Sequence, residues 1–133
     1  MVRSLILAII LLVGPLGAGA QDRAVKGVIE SQIEALQRDD FAAAFGFASP
    51  TIQQLFGNYE NFGAMVRGGF PMVWRPADVQ FLGQETQGTR VLQRVRIRDS
   101  AGEFHLLEYE MVMAGSGWQI NGVRLLEMPD VGV

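Results

Sequence analysis

The chain changes period partway along, and that switch limits its fold more than any other feature. Up to Val66 the apolar residues recur at helical spacing, and from Val79 onward they alternate. Val25, Val28, Ile29, Ile33 and Leu36 form one stripe, with Lys26, Glu30, Glu34 and Arg38 on other faces. They predict a first helix, which Gly27 weakens by up to about 1 kcal/mol relative to Ala. Asp39 or Asp40 can cap a short second helix whose Phe41, Ala44, Phe45 and Ala48 share a face. Ser49-Pro50 joins a hydroxyl cap to a proline at the first helical position, so a third helix should carry Ile52, Leu55 and Phe56 and stop at Gly57. Asn58 then caps a fourth, with Phe62, Met65 and Val66 inward, ending at Gly68-Gly69. Pro71 and Pro76 bracket the stretch FPMVWRPAD, predicted as an extended crossing that is not helical throughout.

The second half predicts strands near 78–86, 90–98, 104–113 and 118–127. Their short Gly-containing loops permit only antiparallel neighbours, which makes a four-stranded meander. Asp99-Ser100-Ala101-Gly102 suits a type I turn followed by a left-handed bulge residue. Counting outward from the pair Asp99 and Glu103, Ile97 faces His105, Val95 faces Leu107, Gln93 faces Tyr109 and Val91 faces Met111. Arg94 then opposes Glu108 on the other face as a cross-strand ion pair, whereas a one-residue slip would set Val91 against Glu110. In the last strand Trp118 and Ile120 share a face, and Asn121-Gly122 reads as a bulge that returns Val123 and Leu125 to it. Helices first and a curved antiparallel sheet second predict an α+β fold, with the helices packed on one face.

That order, with its Trp-x-Ile ending, resembles the cone-shaped fold of ketosteroid isomerase and nuclear transport factor 2. More closely, the segments DDFAAAFGFASP, NFGAMVRGGFPMVWRPADV, EYEM and WQINGV look like a domain-of-unknown-function family of exported bacterial proteins. The resemblance implies the cone architecture over most of residues 21–133. It carries over no activity and no functional residues, because this fold hosts enzymes, binding modules and assembly modules alike.

The first twenty residues, MVRSLILAIILLVGPLGAGA, read as a signal peptide: Arg3, the apolar run Leu5 to Val13, a Gly14-Pro15 break and small residues at Ala18-Gly19-Ala20. The run is short of the about twenty apolar residues that span a bilayer. Cleavage near Gln21 would leave one 113-residue domain, periplasmic or secreted. The eleven basic residues less Arg3 leave ten against fourteen acidic ones, a balance unsuited to a nucleic-acid surface. With no cysteine, the mature chain has neither disulfides nor the acylated Cys of a lipoprotein, so no stable membrane anchor is expected after cleavage.

Chemistry-bearing motifs are few. One histidine and no cysteine make a metal site unexpected. No Gly-x-Ser-x-Gly elbow and no Gly-x-Gly-x-x-Gly loop are present, and no cofactor is expected. General acid/base chemistry in a cone needs a carboxylate tuned by burial. The inward polar groups of this register are Gln93, His105 and Tyr109, and none is a carboxylate. Asp78 is the best remaining acid, with Arg75 beside it as a loop ion pair. The candidate catalytic set is therefore Asp78, His105 and Tyr109, with Tyr109 as electrophilic donor. The candidate ligand-binding set is Tyr59, Trp74, Gln93 and Tyr109, with Tyr59 and Trp74 at the cone mouth. The plainer expectations are that His105 sits half-exposed at a hairpin end, and that Gln93 satisfies the hydroxyl of Tyr109 in the core. Leu92, Phe104, Leu106 and Val112 share the outer face with Arg94, Arg96, Arg98, Glu108 and Glu110, which suits a homodimer through the sheet. The favoured reading is an exported, non-catalytic module that binds a small apolar ligand or a partner protein. An isomerase or dehydratase and an assembly module are the alternatives.

Overall fold

The computed structural model describes residues 18–128. The expected leader lies outside the described residues except for Ala18, Gly19 and Ala20, which begin the first helix. Among the described residues five helices precede four strands: α1 (Ala18–Gln37), α2 (Phe41–Gly46), α3 (Pro50–Phe56), α4 (Tyr59–Gly69), α5 (Pro71–Trp74), β1 (Pro76–Gln87), β2 (Arg90–Asp99), β3 (Phe104–Ala114) and β4 (Gly117–Leu126). The sheet is an antiparallel meander in the order β1-β2-β3-β4. This is the α+β arrangement that the change of period predicts.

The caps explain why the helices break where they do. Asp40, not Asp39, caps α2, its carboxylate accepting from the backbone N–H of Ala43 at 3.1 Å. Ser49 and Asn58 cap α3 and α4 as expected, accepting from Ile52 and Asn61. Gly57 ends α3 at φ +80°, a conformation only glycine adopts without strain. The crossing FPMVWRPAD differs from expectation, because Pro71 starts the single helical turn α5. A proline at the first helical position has its φ already set and its missing N–H costs no bond.

Asp39 takes another role. It ends α1 in the left-handed region at φ +58°, and its carboxylate accepts from Trp74 Nε1 and from Arg75, each at 2.8 Å. The Trp74 hydrogen bond, then that of Arg75, holds the Asp39 carboxyl below its ordinary value. Arg75 also donates to the Leu36 and Gln37 carbonyls, satisfying the open C-terminus of α1. The expected ion pair of Arg75 with Asp78 is thus corrected, since the helix end offers the guanidinium several acceptors at once.

The pairing of β2 with β3 is the one predicted, including Gln93 with Tyr109, Ile97 with His105 and Arg94 with Glu108. Asp99 accepts and donates across the turn to Glu103, and Gly102 sits at φ +87°. In β4 the pairing jumps from Glu110–Gly122 to Met111–Ile120, which makes Asn121 the bulged residue. Val91, Val95, Ile97, Leu107 and Met111 cover the inner face, and Val25, Ile29 and Leu36 of α1 are buried with them. Each such side chain contributes about 1.5–3 kcal/mol by leaving water.

Candidate functional site

Between the helices and the inner face of the sheet lies a cavity of about 210 Å³. Gln32 and Leu36 of α1 form one side, and Phe62, Met65 and Val66 of α4 another. Tyr109 of β3 with Ile120, Gly122 and Val123 of β4 makes the sheet wall. Ile52, Leu55 and Phe56 of α3 stand at the edge, where Leu55 is 72% exposed. α3 contains no buried residue, so it borders the cavity without being sunk into the core. Its N-terminus is nevertheless tied to the sheet. Ser49 donates to Asn121 Oδ1 at 2.7 Å, Asn121 Nδ2 donates to Glu110 at 2.8 Å, and Ser49 N–H reaches the Ile120 carbonyl.

The wall is almost wholly apolar, and among the described residues no carboxylate, lysine, arginine or histidine belongs to it. Gln32 and Tyr109 are its polar side chains. The Gln32 amide donates to the Ala44 carbonyl at 3.2 Å. The Tyr109 hydroxyl is buried and has no hydrogen-bond partner among the described residues. Burial drives its acidity far down, so it remains a neutral donor over the whole physiological range. A buried hydroxyl without a partner costs about 1–3 kcal/mol.

The expected partnership of Gln93 with Tyr109 is corrected by the bulge in β1, where the register shifts between Phe81 and Gln84. That irregularity leaves strand carbonyls without ladder partners, and the Gln93 amide donates to Leu82 O and Arg94 O, each at 2.9 Å. Gln93 Oε1 accepts from Gln84 at 2.8 Å. Its hydrogen bonds serve the bulge, and Tyr109 receives none of them.

The other sequence candidates are dispersed. Tyr59 opens α4 at 44% exposed, and Trp74 is half-buried against the core with its indole N–H donating to Asp39 beyond the end of α1. Asp78 is exposed on the outer face, opposite Arg98. His105 lies at the β2–β3 turn with Nε2 2.7 Å from Asp99 Oδ2, an ion pair whenever the imidazole is protonated. This contact is the first cause of a lowered Asp99 pKa. Four residues separate His105 from Tyr109 along β3, roughly 13 Å of strand. Of the six candidates only Tyr109 lines the cavity, and Asp78, His105 and Tyr109 do not converge.

The outer face holds a feature that alternation alone could not reveal. Glu108 points outward as expected, yet its side chain is only 5% exposed. Arg124 donates to Oε1 through Nε at 2.8 Å and through a terminal nitrogen, and Arg94 lies 3.5 Å from Oε2. Beside this row a groove of about 380 Å³ is bordered by Leu92, Glu110 and Arg124. Phe104 and Leu82 are exposed on the same sheet. Asp99, Glu103 and His105 also bring three potential ligand atoms close together at the turn, but the Asp99–His105 contact already accounts for two of them.

Residues 18–133 match the domain of unknown function DUF4864, and the chain belongs to that family. No curated protein matches it. In three dimensions it is similar to a domain of unknown function with a cystatin-like fold from Nostoc punctiforme, with a TM-score of 0.59 at 17% identity over 86% of this chain and 81% of that one. A SEC-C motif containing protein from Rhodopseudomonas palustris gives 0.57 at 16% identity, covering 78% and 80% of the two chains. A designed NTF2-like protein gives 0.54 at 14% identity, covering 78% and 97%. These likenesses establish the cone-type fold and nothing about activity.

Proposed function

We propose that this DUF4864 domain is an exported, non-catalytic binding module whose cavity takes a small apolar molecule. The observation that carries the reading is the uncharged wall of the 210 Å³ space between α3, α4 and the inner sheet. A cavity of about 150 Å³ lined by apolar side chains stays dry and admits benzene, so this one accommodates a molecule somewhat larger. Burying apolar ligand surface there yields about 25 cal/mol per Å². The scattered positions of Asp78, His105 and Tyr109 weigh against the general acid/base alternative, which needs its groups within hydrogen-bond reach of one substrate.

Binding is tested by titrating the protein with toluene and with indole, followed by amide NMR. Shifts confined to Leu55, Met65, Val66 and Val123, and abolished by Ile52→Trp at the cavity edge, are expected. Saturating ligand with no shift at these residues would sink the reading. Export rests on the charged start, apolar run and small-residue ending of residues 1–20. Sequencing the protein recovered from the periplasm or medium of an expressing bacterium should return an N-terminus near Gln21, and retention of Met1 in the cytoplasm would refute export.

A second reading, a homodimer through the outer sheet face, is favoured by the exposed Phe104 and Leu82 of the sheet. The face also divides by charge, with Arg96 and Arg98 against Asp78 at one end and Glu85 and Glu110 against Arg90 at the other. A two-fold axis along the Arg94–Glu108–Arg124 row stacks these ends on each other. Light scattering at micromolar concentration should give twice the monomer mass, and Phe104→Glu should halve it. A monomeric mass for the unaltered protein excludes this reading.

A further inference from the structure

We propose that the free edge of β4 takes an extended segment of a partner protein as a fifth strand, with the alternation apolar–acidic–apolar. One of the segment's apolar side chains then enters the cavity mouth beside Val123. The seat of that side chain rests on the reading of the cavity as a binding site, and the edge does not.

The meander leaves β4 with a single neighbour, β3. Alternation then fixes which backbone groups face the open side. Glu103 C=O accepts from the Asp99 N–H at 2.8 Å, so Leu107, Tyr109 and Met111, at even spacing from it, also turn their backbone groups toward β2. Their partners in β4, which are Leu125, Val123 and Ile120, therefore turn theirs outward. Ile120 shows the edge in use, since its N–H donates to Phe47 O at 2.9 Å and its C=O accepts from the Ser49 N–H at 2.8 Å. That pairing stops at Pro50, which has no N–H to continue it and starts α3 instead. Val123 and Leu125 keep outward N–H and C=O groups with no backbone partner among the described residues. Such an edge is a template for strand addition.

The side chains set the chemistry of the segment. In antiparallel addition, the mode of the whole sheet, one added residue exchanges both bonds with Val123 and the next but one with Leu125. Those two residues share the inner face with Val123 and Leu125. Val123 lines the cavity with Leu55 and Phe56 of α3, and Leu125 is half-exposed, so both positions call for apolar side chains. The residue between them falls on the outer face beside Arg124, which is well exposed. Arg124 commits Nε and one terminal nitrogen to Glu108, which leaves the other terminal nitrogen for a carboxylate. A second copy of β4 fits this edge less well, because setting Val123 against Leu125 of the copy brings Arg124 opposite Arg124.

The probe is the peptide acetyl-Ser-Leu-Asp-Leu-Ser-amide at millimolar concentration, followed by amide hydrogen exchange and chemical shifts. In the free protein the Val123 and Leu125 amides should exchange at least about tenfold faster than those of Arg124 and Leu126, which face β3. Equal protection would mean that the edge is already closed, and overturns the proposal. The peptide should slow exchange at Val123 and Leu125 and shift Leu55; millimolar peptide that leaves both amides unprotected overturns it too. N-methylation of both leucines should abolish the effect, and undiminished shifts would refute strand addition. Lysine in place of the peptide's aspartate should weaken binding about threefold, the worth of one cross-strand charge pair, and equal affinity overturns the acidic assignment. A doubled mass in light scattering that Val123→Pro returns to the monomer, by removing an outward N–H, would assign the edge to a second copy and overturn the partner segment. Edge protection with the cavity residues unmoved by toluene and indole would sink the cavity reading and leave strand addition standing.

Discussion

Removing the Tyr109 hydroxyl should stabilise the ligand-free protein, the reverse of the usual result for deleting a buried polar atom. A hydrogen-bonded tyrosine typically contributes about 1 kcal/mol through its hydroxyl, and Tyr→Phe then forfeits that. Here the hydroxyl is buried without a partner, so what the substitution removes is an uncompensated desolvation cost of about 1–3 kcal/mol. The ring and its contacts with the core remain, and the space left by one oxygen adds a much smaller penalty. Tyr109→Phe should therefore raise unfolding free energy by about 1–2 kcal/mol, scaled from that cost. For a domain of this size each 1 kcal/mol moves the melting temperature by about 4 °C. Urea denaturation at pH 7 measures it, provided the slope is unchanged, so that a shifted midpoint reports stability alone. A loss of 1 kcal/mol or more, the mark of ordinary satisfied bonding, would mean that the hydroxyl is partnered in solution and would refute the reasoning here.

The same tyrosine gives the protein an alkaline limit. Its folded pKa is raised by burial above the ordinary value of 10.0. The contribution is fully present below about pH 10, and it declines as pH rises beyond that, where the unfolded chain ionises and the folded one does not. Denaturation midpoints from pH 8 to 11 should fall in the unaltered protein more steeply than in Tyr109→Phe; parallel curves would contradict the assignment. At the acid end Asp39 and Asp99 both have lowered folded pKa values, held by Trp74 and Arg75 and by His105. The stability they provide is present above about pH 4 and is lost as pH falls through their folded values, so Asp99→Asn should flatten the acid limb, and an unchanged limb would count against it. Gly63→Ala places a Cβ 2.8 Å from Phe41 Cδ1 where α2 meets α4, and overpacking of this kind costs about 1–3 kcal/mol. Equal thermal stability of that variant would show that Phe41 turns aside freely. Glu108→Ala leaves Arg94 and Arg124, both more than half exposed, free to rehydrate, so the loss should be about 2 kcal/mol, near the worth of hydrogen bonds to a charged group and below that of a fully buried pair. Urea titration checks it, and a loss above 4 kcal/mol would mean that the arginines are not solvated.

Much of the fold was legible because it is written in local chemistry. The Asp99 to Gly102 turn sets the β2–β3 register, and period-two alternation then assigns a face to every residue of both strands. The caps at Asp40, Ser49 and Asn58 and the bulge at Asn121 are equally local, each a short polar side chain acting within three residues of itself or at a break in alternation. What the sequence hid is non-local. Asp39 serves Trp74 and Arg75 across more than thirty residues, and those contacts redirected Arg75 from the neighbouring Asp78. The bulge in β1 is signalled only by the lone Gly83 within the strand, which period-two alternation does not register, and the demand it places on Gln93 removes Tyr109's expected partner. A cavity is harder still, since it is a shortfall in packing that no residue encodes alone.

The buried polar side chains show how the structure separates fold from site. Gln32 holds Ala44, Ser49 joins α3 to the bulge at Asn121, Gln93 satisfies the β1 irregularity, and Glu108 binds Arg94 and Arg124 across three strands. Each has a bond that explains its burial, where an unsatisfied group would be a liability. Tyr109 stands next to Gln93 and Glu108 in the same part of the sheet, buried as completely, and has no such bond. Its partners in the fold are accounted for by the ring alone, which Phe would provide without the cost. The hydroxyl is thus the one buried side-chain group among these five that the fold does not use, and it belongs to a residue of the cavity wall. Sequence reasoning named Tyr109 for its inward position; elimination among its neighbours is what separates it from Gln93.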